Sequence, residues 1–162
     1  MRIRKLTVLL LCAAVVLSIF SACGKKGPSN ADKTIEYGLS AEPKTLDPQI
    51  ASDSPSLTAI QGLFEGLARV DASGKAYPGV AESWKVNAEN TEFTFFLRTD
   101  AKWSDKTPVT ATDFVYAFRR ALSPQTSSPT CSRMFCLLNA RKVNSGAVSA
   151  DQLGVEAKDD HT

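Results

Sequence analysis

Two carboxylates, Asp47 and Asp53, share the segment LDPQIASDSP with the hydroxyls of Ser52 and Ser54, and paired carboxylates are the first requirement of acid/base chemistry. No activated nucleophile or oxyanion site accompanies them, so the pattern does not build an enzyme. Asp47 before Pro48 reads as a turn residue. Ser54 before Pro55 reads as a helix cap followed by proline at the first helical position. His161 is the only histidine and has no spaced Cys or His partners, so neither a metal site nor a cofactor is implied. Cys131 and Cys136 would point about 140° apart on a helix. The string CSRMFC is not a CxxC redox pair, and both cysteines are expected to be small buried hydrophobes.

The elements that must position these side chains come from one domain's worth of polypeptide. With 43% hydrophobic and 22% charged residues, 162 residues have the composition of an ordinary globular domain and not of a disordered chain. The formal charge of +2 owes three positives to Arg2, Arg4 and Lys5, and without residues 1–22 it becomes −1. No basic patch or run of like charge points to nucleic acid.

The N-terminus carries a basic start, an apolar run from Leu6 to Phe20, and Ser21 and Ala22 before Cys23. This is the pattern of an export signal. The run would form only about 22 Å of helix, short of a ~30 Å hydrocarbon core, which argues against a permanent span. Cys23 followed by Gly24 and the tether KKGPSNADK resembles the lipobox of bacterial lipoproteins, with Phe20 in place of the usual leucine. That resemblance implies acylation of the Cys23 thiol and attachment to the lipid membrane through two or three acyl chains. The alternative is an ordinary cleaved signal with Cys23 incidental.

Beyond the tether, Ile35, Tyr37 and Leu39 alternate with polar neighbours and predict a half-buried strand over 34–39. A helix opening at Ser54 carries Leu57, Ile60, Phe64 and Leu67 on one face. ARV, the turn DASGK and AYPGVAESW then read as strands. Trp84 and Val86 face Phe93, Phe95 and Leu97 across a predicted antiparallel hairpin whose aromatic face is expected to be core. Trp103 to Lys106 form a turn. Thr110 and Asp113 make an acidic variant of the capping box, opening a helix to Ala121 with Arg119 and Arg120 in its last turns, where cations suit the helix dipole. After Pro124, a further helix is expected through Arg133 to Leu138. Single strands, hairpins and helices in this order make the class α+β, or mixed α/β.

The block from Tyr77 to Pro124, YPGVAESWKV followed by EFTFFLRTDAKWSDKTPVTATDFVYAFRRALSP, resembles the solute-binding subunit of bacterial peptide importers, and the likeness runs from about Thr34 to the last residue. It implies a partial periplasmic-binding-protein-like lobe plus a small α+β extra domain. Matched onto this chain, residues 1–22 are the lipoprotein signal peptide and 23–33 the lipid-anchored tether. Residues 34–45 start an incomplete first lobe, 46–139 form the extra domain, and 140–162 return toward that lobe. Family members are several times longer, so the chain is expected to be truncated, with one wall of the binding cleft missing. The relatives often carry glycine where this chain has Lys106, which would be strained if that position needs a positive φ.

The same resemblance implies an extracytoplasmic, lipid-anchored or periplasmic protein that binds short peptides and hands them to the membrane permease of an ATP-driven importer. Ser52, Asp53 and Ser54 match a stretch beside the peptide backbone, where hydroxyls could pair with peptide N–H and C=O groups. Ser54 can be a cap, a ligand contact, or both. Thr130 falls where relatives often place an aromatic at the cleft. Two other readings stay open: a binding protein for another ligand such as a metal chelate, and a membrane-tethered remnant or interaction domain without transport activity.

Overall fold

Asp53 ends an extended stretch at φ −94°, and its carboxylate accepts the Ser56 N–H at 3.0 Å, which opens the first helix of the computed structural model, α1, at Ser54–Leu63. The structure describes residues 36–162. The expected signal peptide, Cys23, the expected tether and the beginning of the expected first strand lie outside the described residues. Residues 39–162 form one compact unit. Glu36 to Leu39 carry no regular structure, and Tyr37 is 74% exposed. The expected strand is absent there because, among the described residues, no strand pairs with it to satisfy its backbone.

Helix α1 departs from expectation at both ends. Its cap is Asp53 and not Ser54, because the Asp53 carboxylate reaches the N–H three residues on. It stops at Leu63, since Gly66 and Leu67 are drawn into pairing: their carbonyls accept the N–H groups of Val80 and Ala81 at 2.9 and 3.0 Å. Only Ile60 of the predicted apolar face is buried; Leu57 and Phe64 are exposed and Leu67 packs on a neighbouring cluster. Gly79 lies under this crossing, where a Cβ would stand 2.5 Å from the Gly66 carbonyl oxygen.

Two antiparallel hairpins follow. Strands β1, Ala68–Val70, and β2, Ala76–Pro78, join through a turn in which Asp71 accepts the N–H groups of Ser73 and Lys75 and Gly74 takes φ +85°. Strands β3, Ala81–Val86, and β4, Phe93–Leu97, pair Trp84 with Phe95 and Val86 with Phe93, with a bulge between Ala81 and Ser83. Glu65 holds the end of α1 to this region through ion pairs with Arg69 and Arg98. The predicted aromatic face is core only at its base. Leu97 is buried, Trp84 and Phe95 are half-buried with ring centroids 6.3 Å apart, and Phe93 is 55% exposed. The hairpin tip extends past the elements that cover its foot.

Lys106 adopts φ +77°, so the lysine sits in a backbone region that favours glycine. The second long helix, α2, spans Ala111–Leu122. Asp113 reaches back to the Thr110 N–H at 2.8 Å, as the capping pattern predicts. The expected helix over 133–138 is instead a 3₁₀ turn, Cys131–Met134, followed by turns held by bonds between residues three apart. Asn139 at φ +62° separates these from a short helix α3, Ala140–Asn144. This irregular backbone leaves Cys136 exposed and Cys131 half-buried, both free, so the expected pair of buried hydrophobes holds for neither in full.

Helices and antiparallel hairpins segregated along the chain make the fold α+β. Its core has two centres. Val80, Ala81, Leu97, Ala101, Val109 and Ala111 form one, at the foot of the second hairpin and the start of α2. Leu122, Ala140, Val143 and Leu153 form the other, at the end of α2. The last residues are stitched to the first centre: the His161 carbonyl accepts the Leu97 N–H at 2.8 Å and the Asp160 carbonyl accepts the Ala111 N–H at 2.9 Å. Among the described residues, no helix is long and apolar enough to cross a membrane.

Candidate functional site

The segment between Thr45 and Ser56 begins as a turn and ends as a helix start. The carbonyl of Asp47 accepts the N–H groups of Ile50 and Ala51, which closes the turn that Pro48 favours. Ala51 is buried and pins the chain to the fold, while Ser52 and Ser54 on either side of Asp53 are exposed. Asp53 is committed to the helix: it accepts from the Ser56 N–H and, at 2.8 Å, from the Ser56 hydroxyl. These two bonds hold its carboxyl below the ordinary aspartate value, against the opposing effect of desolvation. With capping done by Asp53, the hydroxyls of Ser52 and Ser54 have no hydrogen-bond partner among the described residues.

Helix α2 supplies the other half of the arrangement. Arg120 reaches the two Asp47 carboxylate oxygens at 3.0 and 2.6 Å and the Gln49 side-chain oxygen at 2.7 Å. Gln49 in turn donates to the Ala117 carbonyl at 3.0 Å. The Arg120 hydrogen bond holds the Asp47 carboxyl below its usual range, more strongly than burial raises it. Arg120 thus bonds side chains more than seventy residues away in sequence. Its sequence neighbourhood signals only a cation near a helix end. Ser56 had a weak local signal, as a hydroxyl three residues after Asp53.

Thr130 lies elsewhere in the chain's bonding pattern. It is half-buried, immediately precedes the 3₁₀ turn, and its carbonyl accepts the Arg133 N–H at 3.0 Å. Among the described residues no hydrogen bond links it to Ser52, Asp53 or Ser54. An open depression of about 230 Å³ at the hairpin tip, lined by Lys85, Val86, Asn87, Glu92 and Thr94, shares no residue with either. It falls below the roughly 300 Å³ at which small-molecule sites begin. No group of three or more metal-ligating side chains occurs among the described residues.

The geometry of 52–54 offers polar recognition without chemistry. Two outward hydroxyls and the Ser52 N–H, which enters no hydrogen bond among the described residues, lie on a backbone anchored at both ends. Such an edge can pair with another extended chain while ignoring its side chains.

Comparison with known proteins places this scaffold. The profile of the bacterial extracellular solute-binding proteins, family 5 Middle, matches residues 75–162, just over half of the chain. The periplasmic murein peptide-binding protein of Escherichia coli is 41% identical over 93% of this chain, and the periplasmic oligopeptide-binding protein of Haemophilus influenzae is 44% identical over 75%. These matches cover 29% and 23% of those proteins, so the chain spans less than a third of the length of the curated relatives it matches. Among solved structures, the Escherichia coli murein tripeptide binding protein superposes with a TM-score of 0.70 at 45% identity, covering 74% of this chain and 24% of that one. The Haemophilus influenzae oligopeptide-binding protein in complex with RPPGFSPFR gives a TM-score of 0.70 at 42% identity, covering 75% and 24%. The family consists of substrate-binding proteins and not enzymes. The chain belongs to the bacterial extracellular solute-binding proteins of family 5.

Proposed function

We propose that this chain serves oligopeptide capture for an ATP-driven importer, binding short peptides noncovalently and passing them to a membrane permease. The observation that carries the reading is the likeness, at 45% identity and a TM-score of 0.70, to a murein tripeptide binding protein over about three quarters of the chain. Ser52 and Ser54 are the peptide contacts in this reading, pairing with backbone N–H and C=O groups. Asp53 holds the backbone between them by capping α1. Thr130 contributes a smaller polar contact where an aromatic would stack.

The same reading assigns residues 46–139 to the small extra domain and 140–162 to the path back toward the first lobe. Cys23, acylated, holds the protein at the outer face of the cell membrane. Cys23→Ser then abolishes incorporation of labelled fatty acid and releases the protein from the membrane fraction; unchanged labelling excludes Cys23 as the anchor.

Titration calorimetry with a mixed library of tripeptides to pentapeptides tests peptide capture. The expected result is saturable heat with a Kd below about 1 mM, equivalent to about −4 kcal/mol, weakened when Ser52 and Ser54 are both replaced by alanine. Absence of heat at millimolar peptide overturns the reading in favour of an interaction domain without transport activity.

A further inference from the structure

The placement of Ser52 and Ser54 depends on hydrogen bonds that lead back to one guanidinium. The Ser56 hydroxyl donates to Asp53 at 2.8 Å and accepts the Thr45 N–H at 3.2 Å. The Thr45 hydroxyl oxygen accepts the Asp47 N–H at 3.0 Å, and Asp47 accepts the N–H of Gln49 through its carboxylate and that of Ala51 through its carbonyl. Residues 45–56 are thereby closed into a loop bonded to itself. Its side-chain hydrogen bonds to the rest of the fold run to α2 alone among the described residues: Arg120 to Asp47 and Gln49, and Gln49 to the Ala117 carbonyl.

We propose that Arg120 is a positioning residue for ligand capture, holding the 45–56 loop in the one orientation that presents Ser52 and Ser54 outward. The inference rests on the reading of those serines as peptide contacts. A guanidinium that meets both carboxylate oxygens fixes distance and plane together, and a third bond to Gln49 fixes rotation about that plane. A lysine at the same place keeps the charge that suits the end of α2 but supplies a point contact. Binding to a backbone already held in place loses less conformational freedom, so affinity rises without any contact between Arg120 and peptide.

Amide hydrogen exchange and calorimetry on the full 162-residue chain, comparing the unmodified protein with Arg120→Lys and Asp47→Asn, test this. The Ile50 and Ala51 amides, both bonded to the Asp47 carbonyl, should lose protection by about tenfold in Arg120→Lys. Those of Leu97, Val109 and Val143, which report the two core centres, should keep theirs. Affinity for the peptide library should fall by about tenfold, and the double variant should be no worse than either single one, because both remove the same bonds. Unchanged protection at Ile50 and Ala51 overturns the proposal. Loss spread evenly over all five amides also overturns it, because it marks general destabilisation. A loosened loop with unaltered affinity overturns the link to capture. If the unmodified chain binds no peptide, the functional reading falls by itself, and the exchange result alone decides whether Arg120 sets the loop.

Discussion

Helix α2 has buried residues at both ends, Ala111 in one core centre and Leu122 in the other. Helix α1 buries a serine, Ser56, and one large apolar side chain, Ile60. The two helices are of similar length, yet one is held by apolar packing and the other largely by polar bonds at its start. Packing resists change in proportion to the volume removed, and a polar lattice in proportion to the partners stranded. The contrast also separates roles. The well-packed helix is the fixed support, and the lightly packed one carries the exposed segment proposed to meet ligand.

The most damaging way to break this contrast is to empty the packed end. Leu122 is fully buried among Ala140, Val143 and Leu153. Leu122→Ala should therefore cost about 2–5 kcal/mol in urea unfolding. A loss below about 1 kcal/mol would show that the second core centre repacks and that α2 is not the support described. Next in size is Ser56→Ala. The serine is fully buried and its hydroxyl satisfies the Thr45 N–H, so its removal should cost about 1–3 kcal/mol, with exchange rising first at Leu57 near the start of α1. Equal loosening at Val109, before α2, would erase the distinction between the helices.

Lys106 gives a smaller effect of opposite sign. Its φ of +77° strains a side-chain-bearing residue by about 1–2 kcal/mol. Glycine relieves that strain but gives back roughly 0.5–1 kcal/mol in unfolded-chain entropy. Lys106→Gly should stabilise the protein by up to about 1 kcal/mol in urea unfolding, without altering exchange in α1. Destabilisation would mean that the lysine makes contacts worth more than the strain.

Local patterns were the legible part of this molecule. Alternation at Trp84, Val86, Phe93, Phe95 and Leu97 announced the second hairpin, and Thr110 with Asp113 announced the start of α2. Both signals are complete within a few residues. Burial along that hairpin was not legible, because the exposure of Phe93 depends on where neighbouring elements stop covering the tip. The early end of α1 at Leu63 had the same cause, since Val80 and Ala81, more than a dozen residues on, claim the carbonyls of Gly66 and Leu67. At the candidate site the sequence pointed to Ser52, Asp53 and Ser54 but misassigned the cap by one residue. It marked Arg120 only as a cation near a helix end, because its partners Asp47 and Gln49 become neighbours only once α2 packs beside the turn.

Acid offers the mildest test of the contrast. Hydrogen bonds hold Asp47 and Asp53 below their ordinary values, through Arg120 for the first and Ser56 for the second. Each therefore binds its proton more weakly folded than unfolded, so the stability it contributes is complete above the unfolded value near pH 4 and is lost as pH falls through the folded one. Both residues belong to the loop and cap of α1. Between pH 7 and 5 the protection factors of Ile50, Ala51 and Leu57, corrected for intrinsic exchange, should stay constant. Below about pH 4 they should fall while that of Val143 in the second core centre persists. Uniform loss across both regions would show that the polar lattice at α1 and the apolar packing at α2 unfold as one unit. Loss confined to the loop would place the weakest point of the fold beside Ser52 and Ser54, the segment proposed to meet ligand.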